Sequence, residues 1–444
     1  MNSRRDRRPP DSIVVAKPCT LETRLPWDGS SADGPLSRAL CAFKRAMLGL
    51  ALAAVALAVP NGLLDSLGRS PQFSFTLAGS FAIYLATRPA RRELIGTIGL
   101  GLALRVAYGA TYGVNGYFGS LLISTGGFLG FAGLLTLACT AVRVKRFWEF
   151  GIAAYFPFVS ILVGFILPVT NHLSPITYDV ELLGADSVFG IQPSFLLGSL
   201  ISGRQTLSDI TATIYYALPF TVAFLCAVRM QRWPGEVRRL LWMFGLMSIM
   251  GFCLYAVCPG TGPIYAFREW FPSSVPDPLG LAMGRLSVPG APRNAIPSLH
   301  FTTALLVFWN TQRLRRAGRI AAGLFLAATG FAALALGEHY LTDLVVAVPF
   351  SLFFCAAFSV MEPADSAWKY AAMSTGAGSV VLWILILRLW APQLPEHPMA
   401  TCLAFAATVG VSIWIRAELA RRRIPFAWAD DQHRRSSRAQ FMAE

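Results

Sequence analysis

Apolar stretches separated by short polar breaks recur along this chain from about residue 46 to residue 416. A helix rises ~1.5 Å per residue, so about 20 consecutive apolar residues are needed to cross a hydrocarbon core of ~30 Å. Stretches of that kind lie at 46–65, 72–87, 94–113, 118–142, 147–169, 207–228, 238–258, 298–312, 320–337, 341–361, 372–390 and 399–416, the second and the eighth being short. The pattern predicts an all-α fold, a polytopic transmembrane helical bundle of about 12 helices. No repeat of fixed period runs through it.

Composition agrees with that pattern. Hydrophobic residues make up 55% of the 444 positions and charged residues only 14%, with a mean hydropathy of +0.52. Soluble domains carry about 25% charged residues.

The net charge of +14 raises the question of a nucleic-acid partner, and the positions of the basic residues answer it. With the N-terminus cytoplasmic, the inner side receives the basic residues from Arg4 to Arg45, Arg88, Arg91 and Arg92, Arg143 to Arg146, Arg229 to Arg239, Arg313 to Arg319, Lys369, and the run from Arg416 to Arg438. That is roughly 31 of the 38 Lys and Arg residues, against about five outside, as the positive-inside rule requires. The charge therefore reads as topology and contact with anionic lipid, not nucleic acid. The expectation is an integral protein of the cell (inner) membrane, with both termini cytoplasmic. Residues 1–45 are too polar to fold alone and read as a disordered cytoplasmic tail; 418–444 read as a second one. The eight cysteines are scattered without metal-finger spacing and read as small buried hydrophobes.

Two long segments on the outer side interrupt the spans, at about 170–206 and 259–297. The second opens on Cys258-Pro259-Gly260-Thr261-Gly262-Pro263-Ile264-Tyr265 and ends on Ile296-Pro297-Ser298-Leu299-His300. About forty positions later comes Gly337-Glu338-His339-Tyr340-Leu341-Thr342-Asp343. Both histidines stand at the outward start of an apolar helix, and a single intervening span lets a hairpin bring those starts together. His339 and Asp343 share one helical face, one turn apart. Asp343 can hold one imidazole nitrogen and leave the other nucleophilic. Ser298 follows a proline at a helix N-terminus, where unpaired N–H groups and the helix dipole attract an anion. A phosphate there would lie between a nucleophilic histidine and a second histidine able to protonate the leaving oxygen.

Of the few outer basic residues, Arg268, Arg285 and Arg293 fall in the loop leading into Ser298, and arginine suits bidentate phosphate recognition. Solvated loop charge is the bland alternative for Arg268 and Arg285, as it is for Asp179, Asp186 and Asp209. His172, His397 and His433 read as structural or tail residues. Arg105, in mid-span, implies a polar partner or cavity. A metal site of two histidines and one carboxylate is chemically conceivable, but it explains neither Ser298 nor the arginines, so no metal and no cofactor is expected.

Pro297-Ser298-Leu299-His300 and His339-x-x-x-Asp343 resemble the second and third motifs of the type 2 phosphatidic acid phosphatase superfamily, which includes lipid phosphate phosphatases and inositol phosphorylceramide synthases. The resemblance implies that His339 forms a phosphohistidine, that His300 serves as general acid and then base, that Asp343 orients, and that Ser298 binds phosphate. It also implies a catalytic six-helix, phosphatase-like core at 147–361, with accessory transmembrane helices at 46–146 and 362–417. Two departures point to the synthase-like branch. Ala332 and Ala333 stand where phosphatases have Ser-Arg, and Gly260 to Tyr265 occupy the place of the Lys-x6-Arg-Pro motif. The expected activity is a lipid phosphotransferase with its active site on the non-cytoplasmic face. It would take a membrane lipid phosphate donor and a polar or lipid hydroxyl acceptor, with Gly262, Tyr265 and Arg293 among the substrate contacts. The alternatives are a lipid phosphate phosphatase using water, a glycosyltransferase using a polyprenyl-phosphate sugar, and a transporter with a His339–Asp343 proton relay. The glycosyltransferase would place carboxylates in the first outer loop, where only Asp65 stands nearby. A transporter would show paired broken helices in an inverted repeat.

Overall fold

The computed structural model describes residues 71–112, 118–144, 147–277 and 285–422. The expected span at 46–65, the tail at 1–45 and the C-terminal residues from 423 onward lie outside the described residues. So do Lys145, Arg146 and 278–284.

Helices follow the apolar stretches. The first four are α1 (Pro71–Ala86), α2 (Arg91–Tyr112), α3 (Phe118–Val144) and α4 (Phe147–Leu173). The expected outer segment after α4 folds as β1 (Ile176–Thr177), α5 (Asp179–Asp186) and α6 (Pro193–Ile201). There follow α7 (Gln205–Tyr216), α8 (Leu218–Arg232), α9 (Pro234–Val257), the single turn α10 (Pro263–Ala266) and β2 (Leu286–Ser287). The chain ends its described part with α11 (Leu299–Trp309), α12 (Arg316–Ala335), α13 (Leu341–Ala357), α14 (Ser366–Leu389) and α15 (Pro398–Arg422). Among the described residues seven helices are long and apolar enough to cross a membrane, or eight if α7 and α8 count as one bent span. The protein is a polytopic, all-α membrane protein on this evidence.

Two differences from the expected spans bear on the site. The stretch at 207–228 is bent by 47° between α7 and α8. Pro219, just inside α8, has no N–H to give and crowds the carbonyl four residues back, which favours a break at this point. The break leaves Tyr215 in the last turn of α7. In addition, α11 has only 11 residues and rises about 16 Å, roughly half a hydrocarbon core. Along α13 no residue from Thr342 to Leu352 is more than slightly exposed. A helix apolar all round belongs in the middle of a bundle, and α13 packs on α11, α14 and α15. Gly376 of α14 makes the closest approach possible, because a Cβ there would meet the carbonyl oxygen of Pro349 at 2.7 Å.

The two segments that the charge pattern places outside are joined. Ile176 pairs with Ser287 and Thr177 with Leu286 in an antiparallel ladder, and every residue of α5 is buried. At the end the charge pattern places inside, Glu236 is buried and binds both Arg229 and Arg313, and Arg229 also donates to the Asn310 carbonyl. This network ties the ends of α8, α9 and α11. Arg105 lies half-buried in α2, and its Nε has no hydrogen-bond partner among the described residues.

Candidate active site

Ser298 caps α11. Its backbone is extended, its Oγ accepts from the N–H of Phe301 at 3.3 Å, and its own N–H donates to the carbonyl of Asp343 at 3.3 Å. A serine at this position satisfies one of the donors that a helix start leaves free, and here it also fixes α11 against α13. His300 follows in the first turn of α11.

The second histidine is held from several sides. Gly337, with φ of 71°, turns the chain out of α12. The N–H of His339 donates to Ala333 at 3.1 Å, and its carbonyl accepts from Ser194 Oγ at 2.8 Å. The imidazole is buried, with Nδ1 3.4 Å from Oδ2 of Asp343. That is just beyond an ordinary N–H···O distance, as is common for catalytic pairs before substrate binds. Asp343 Oδ2 also accepts from the N–H of Tyr340 at 2.8 Å, so one carboxylate both caps α13 and faces the histidine. The rings of His300 and His339 lie with centroids 6.3 Å apart. Tyr215 contacts both: its ring is stacked on His300 and its hydroxyl is 3.5 Å from Nε2 of His339.

Asp179 and Asp186, which the sequence pattern reads as solvated loop charge, are fully buried, and both position the motif. Asp186 receives the N–H of Leu341 at 2.7 Å, the N–H of Thr342 at 2.9 Å and the Thr342 hydroxyl at 2.6 Å. A carboxylate on the free donors of a helix start is favourable both by hydrogen bonding and by the dipole. Burial nevertheless pushes its carboxyl up to about 7 against those hydrogen bonds. Asp179 receives the N–H groups of Thr261 and Gly262 at 3.0 Å each, and the hydroxyls of Thr261 at 3.1 Å and Tyr340 at 3.0 Å. Its carboxyl too is raised by burial, and the hydrogen bonds pull it back. The two lie seven positions apart on α5, and that spacing, two turns on one face, was the signal available in the sequence.

The loop that Asp179 holds lies directly on the His339 segment. Gly262 has φ of 91° and no room for a Cβ, which would run into the carbonyl of Glu338. Ile264 N–H donates to the carbonyl of Gly337 at 3.0 Å, and the Tyr265 hydroxyl donates to Glu338 Oε1 at 3.0 Å. Gly262 and Tyr265 are thus brought to the site.

The three arginines are placed differently. The guanidinium of Arg293 is buried and donates to the carbonyls of Ser174, Pro175, Val288 and Ala291 at 2.8 to 3.0 Å. Those donors are spent on joining the two outer segments, which removes them from a phosphate. Arg285 is exposed over the ring of Tyr178, 4.9 Å from its centroid, and Arg268 is exposed beyond α10. Ala332 and Ala333 are fully buried. Among the described residues no group of three or more His, Cys, Asp or Glu side chains is placed to hold a metal ion.

A pair of facing imidazoles, one backed by a carboxylate, can carry nucleophilic attack and proton transfer on a single bound group. Comparison with the curated proteins finds no match, and comparison with the solved structures finds none. Residues 180–357, which contain Asp186, Tyr215, Ser298, both histidines and Asp343, match the family model described as the PAP2 superfamily, whose members are phosphatases or phosphotransferases.

Proposed function

We propose that this protein is a membrane phosphotransferase that takes a phosphate-containing group from a lipid donor through a phosphohistidine and passes it to a hydroxyl acceptor at the non-cytoplasmic face. The observation that carries the reading is the buried His339, backed by Asp343 at 3.4 Å and facing His300, within a segment that matches the PAP2 superfamily.

The chemistry needs only these residues. Nε2 of His339 attacks the phosphorus, the bond to the lipid oxygen breaks, and His300, which takes up a proton beside the bound phosphate anion, gives that oxygen its proton. Asp343 holds the Nδ1 proton and offsets the positive charge that grows on the imidazole. In the second half His300, now neutral, takes the proton of the incoming hydroxyl as its oxygen bonds to phosphorus and the P–N bond breaks. Water as the acceptor makes the same cycle a lipid phosphate phosphatase. The alanines at 332 and 333 favour transfer: no arginine stands where the phosphatases keep one, and the outer loop instead sets Tyr265 on Glu338, the residue before His339.

The test supplies purified protein with a labelled lipid phosphate and compares wild type with His339→Ala. Wild type should form an acid-labile phosphoenzyme and yield more transfer product than inorganic phosphate with glycerol, inositol, sugar or ceramide acceptors. A His339→Ala variant that turns over as fast as wild type refutes the reading. Free phosphate dominating with every acceptor makes the protein a phosphatase.

A further inference from the structure

Next to His339 lies a polar group that the two-histidine cycle does not use. The Glu338 carboxyl accepts from the Tyr265 hydroxyl at 3.0 Å, and the Asn294 side chain lies close enough to act on its charge. All three residues are half-buried, so they are neither sealed in the core nor fully solvated. Asn294 is fixed through its backbone, whose N–H donates to Gly260 at 3.0 Å. Its side-chain Oδ1 is buried with no hydrogen-bond partner. Such an acceptor is costly to leave unmade.

The character of this group decides what it can bind. A carboxyl one residue from the nucleophile offers a phosphate anion no positive charge, so the group does not form part of the phosphate cradle. Burial raises the Glu338 carboxyl, while His339, Tyr265 and Asn294 draw it down. Carboxyl, phenol and amide together offer acceptors and donors without a positive charge. That set matches neutral hydroxyl groups, which both give and take hydrogen bonds. The loop bearing Tyr265 is fixed by Asp179, so the group is preorganised and does not depend on a mobile segment.

We propose that Glu338, Tyr265 and Asn294 form the acceptor subsite, which binds an uncharged, hydroxyl-bearing acceptor and rejects an anionic one. This rests on the phosphohistidine reading above. During transfer the acceptor oxygen bonds to phosphorus, its proton passes to His300, and Glu338 holds a neighbouring hydroxyl of the same acceptor.

The experiment loads His339 from a labelled lipid phosphate, removes the donor, and follows decay of the phosphoenzyme with glycerol or with glycerol 3-phosphate. In wild type, glycerol should accelerate decay beyond the rate in buffer and glycerol 3-phosphate should not. Glu338→Gln should weaken the glycerol effect by about tenfold, near the upper end of what one hydrogen bond contributes, and narrow the gap between the two acceptors. Tyr265→Phe should weaken it by a few-fold. In both variants the acceptor-dependent decay should suffer more than phosphoenzyme formation. Equal loss in both steps, or an unchanged acceptor preference in Glu338→Gln, overturns the subsite. A wild-type phosphoenzyme that no acceptor accelerates overturns the subsite alone. Failure to form any phosphoenzyme removes the parent reading, and the subsite with it.

Discussion

The ring of Tyr215 lies on that of His300 with centroids 3.8 Å apart and planes 16° from parallel, while its hydroxyl stands 3.5 Å from Nε2 of His339. Nε2 is the nitrogen turned away from Asp343, the one that would meet phosphorus. One tyrosine therefore stacks on the proposed acid–base histidine and lies beside the nitrogen proposed to attack from the other. Its place follows from the break at Pro219, which ends α7 at this level of the bundle.

The two roles separate by substitution. Tyr215→Phe keeps the stack and removes the hydroxyl, so turnover should stay within about tenfold of wild type. Tyr215→Ala removes the platform as well. His300 should then lose orientation, and turnover should fall by about a hundredfold, the low end of what general acid–base catalysis contributes. Equal activity of the two variants would show that the stack does nothing.

Asp343 should be worth less than His339. Asp343→Asn can still cap α13 and still place an oxygen near Nδ1, but it cannot offset charge on the imidazole. Phosphoenzyme should form in that variant at a rate about 10²–10⁴ below wild type, whereas His339→Ala should form none. Single-turnover labelling separates the two.

Asp186 gives a stability prediction with a definite sign. Burial holds its carboxyl up to about 7, above the ordinary carboxylate range. A raised folded-state value means that the folded protein favours the protonated form. That contribution is complete below the ordinary carboxylate range and is lost as the pH rises through about 7. Thermal stability of wild type in detergent should fall between about pH 5 and pH 8 by more than that of Asp186→Asn. Asp186→Ala leaves the N–H groups of Leu341 and Thr342 unserved and should destabilise by about 2–4 kcal/mol. A steeper pH dependence in Asp186→Asn than in wild type would contradict the assignment.

Much of this was legible in the apolar periodicity. Each expected span from 72–87 onward has a helix in the structure, because twenty apolar residues have few alternatives in a membrane. The His339–Asp343 spacing was equally readable, since four residues make one turn. Burial was not. Asp179 and Asp186 looked like loop charge because their partners, Thr261, Tyr340 and Thr342, lie far along the chain. Arg293 looked like a phosphate ligand because it stands five positions before Ser298, yet its guanidinium turns to carbonyls at 174 and 175. Local sequence distance says which residues can be neighbours, and tertiary structure decides which way a long side chain points. Pro219 was visible, and the lost N–H together with the ring's clash against the carbonyl four residues back accounts for a break there, although Pro157, Pro168 and Pro349 are carried inside unbroken helices.

Topology provides the last test, because a lipid phosphotransferase is defined in part by the leaflet it faces. The charge pattern places the α10–α11 segment outside and the α11–α12 turn inside. Ser273 is exposed in the first and Arg315 in the second, so Ser273→Cys and Arg315→Cys report opposite faces. A membrane-impermeant maleimide should label the first in intact cells and the second only after the membrane is opened or inverted. Glu236 offers a control at the inner end. Its carboxylate is buried between Arg229 and Arg313, and Glu236→Ala would leave Arg229 buried without its counter-charge, at a cost of about 3–5 kcal/mol. That variant should lower thermal stability while leaving any surviving folded protein labelled at Ser273→Cys from outside. Labelling of Ser273→Cys only in inverted vesicles would place both histidines on the cytoplasmic side, and the proposed donor leaflet would change with them.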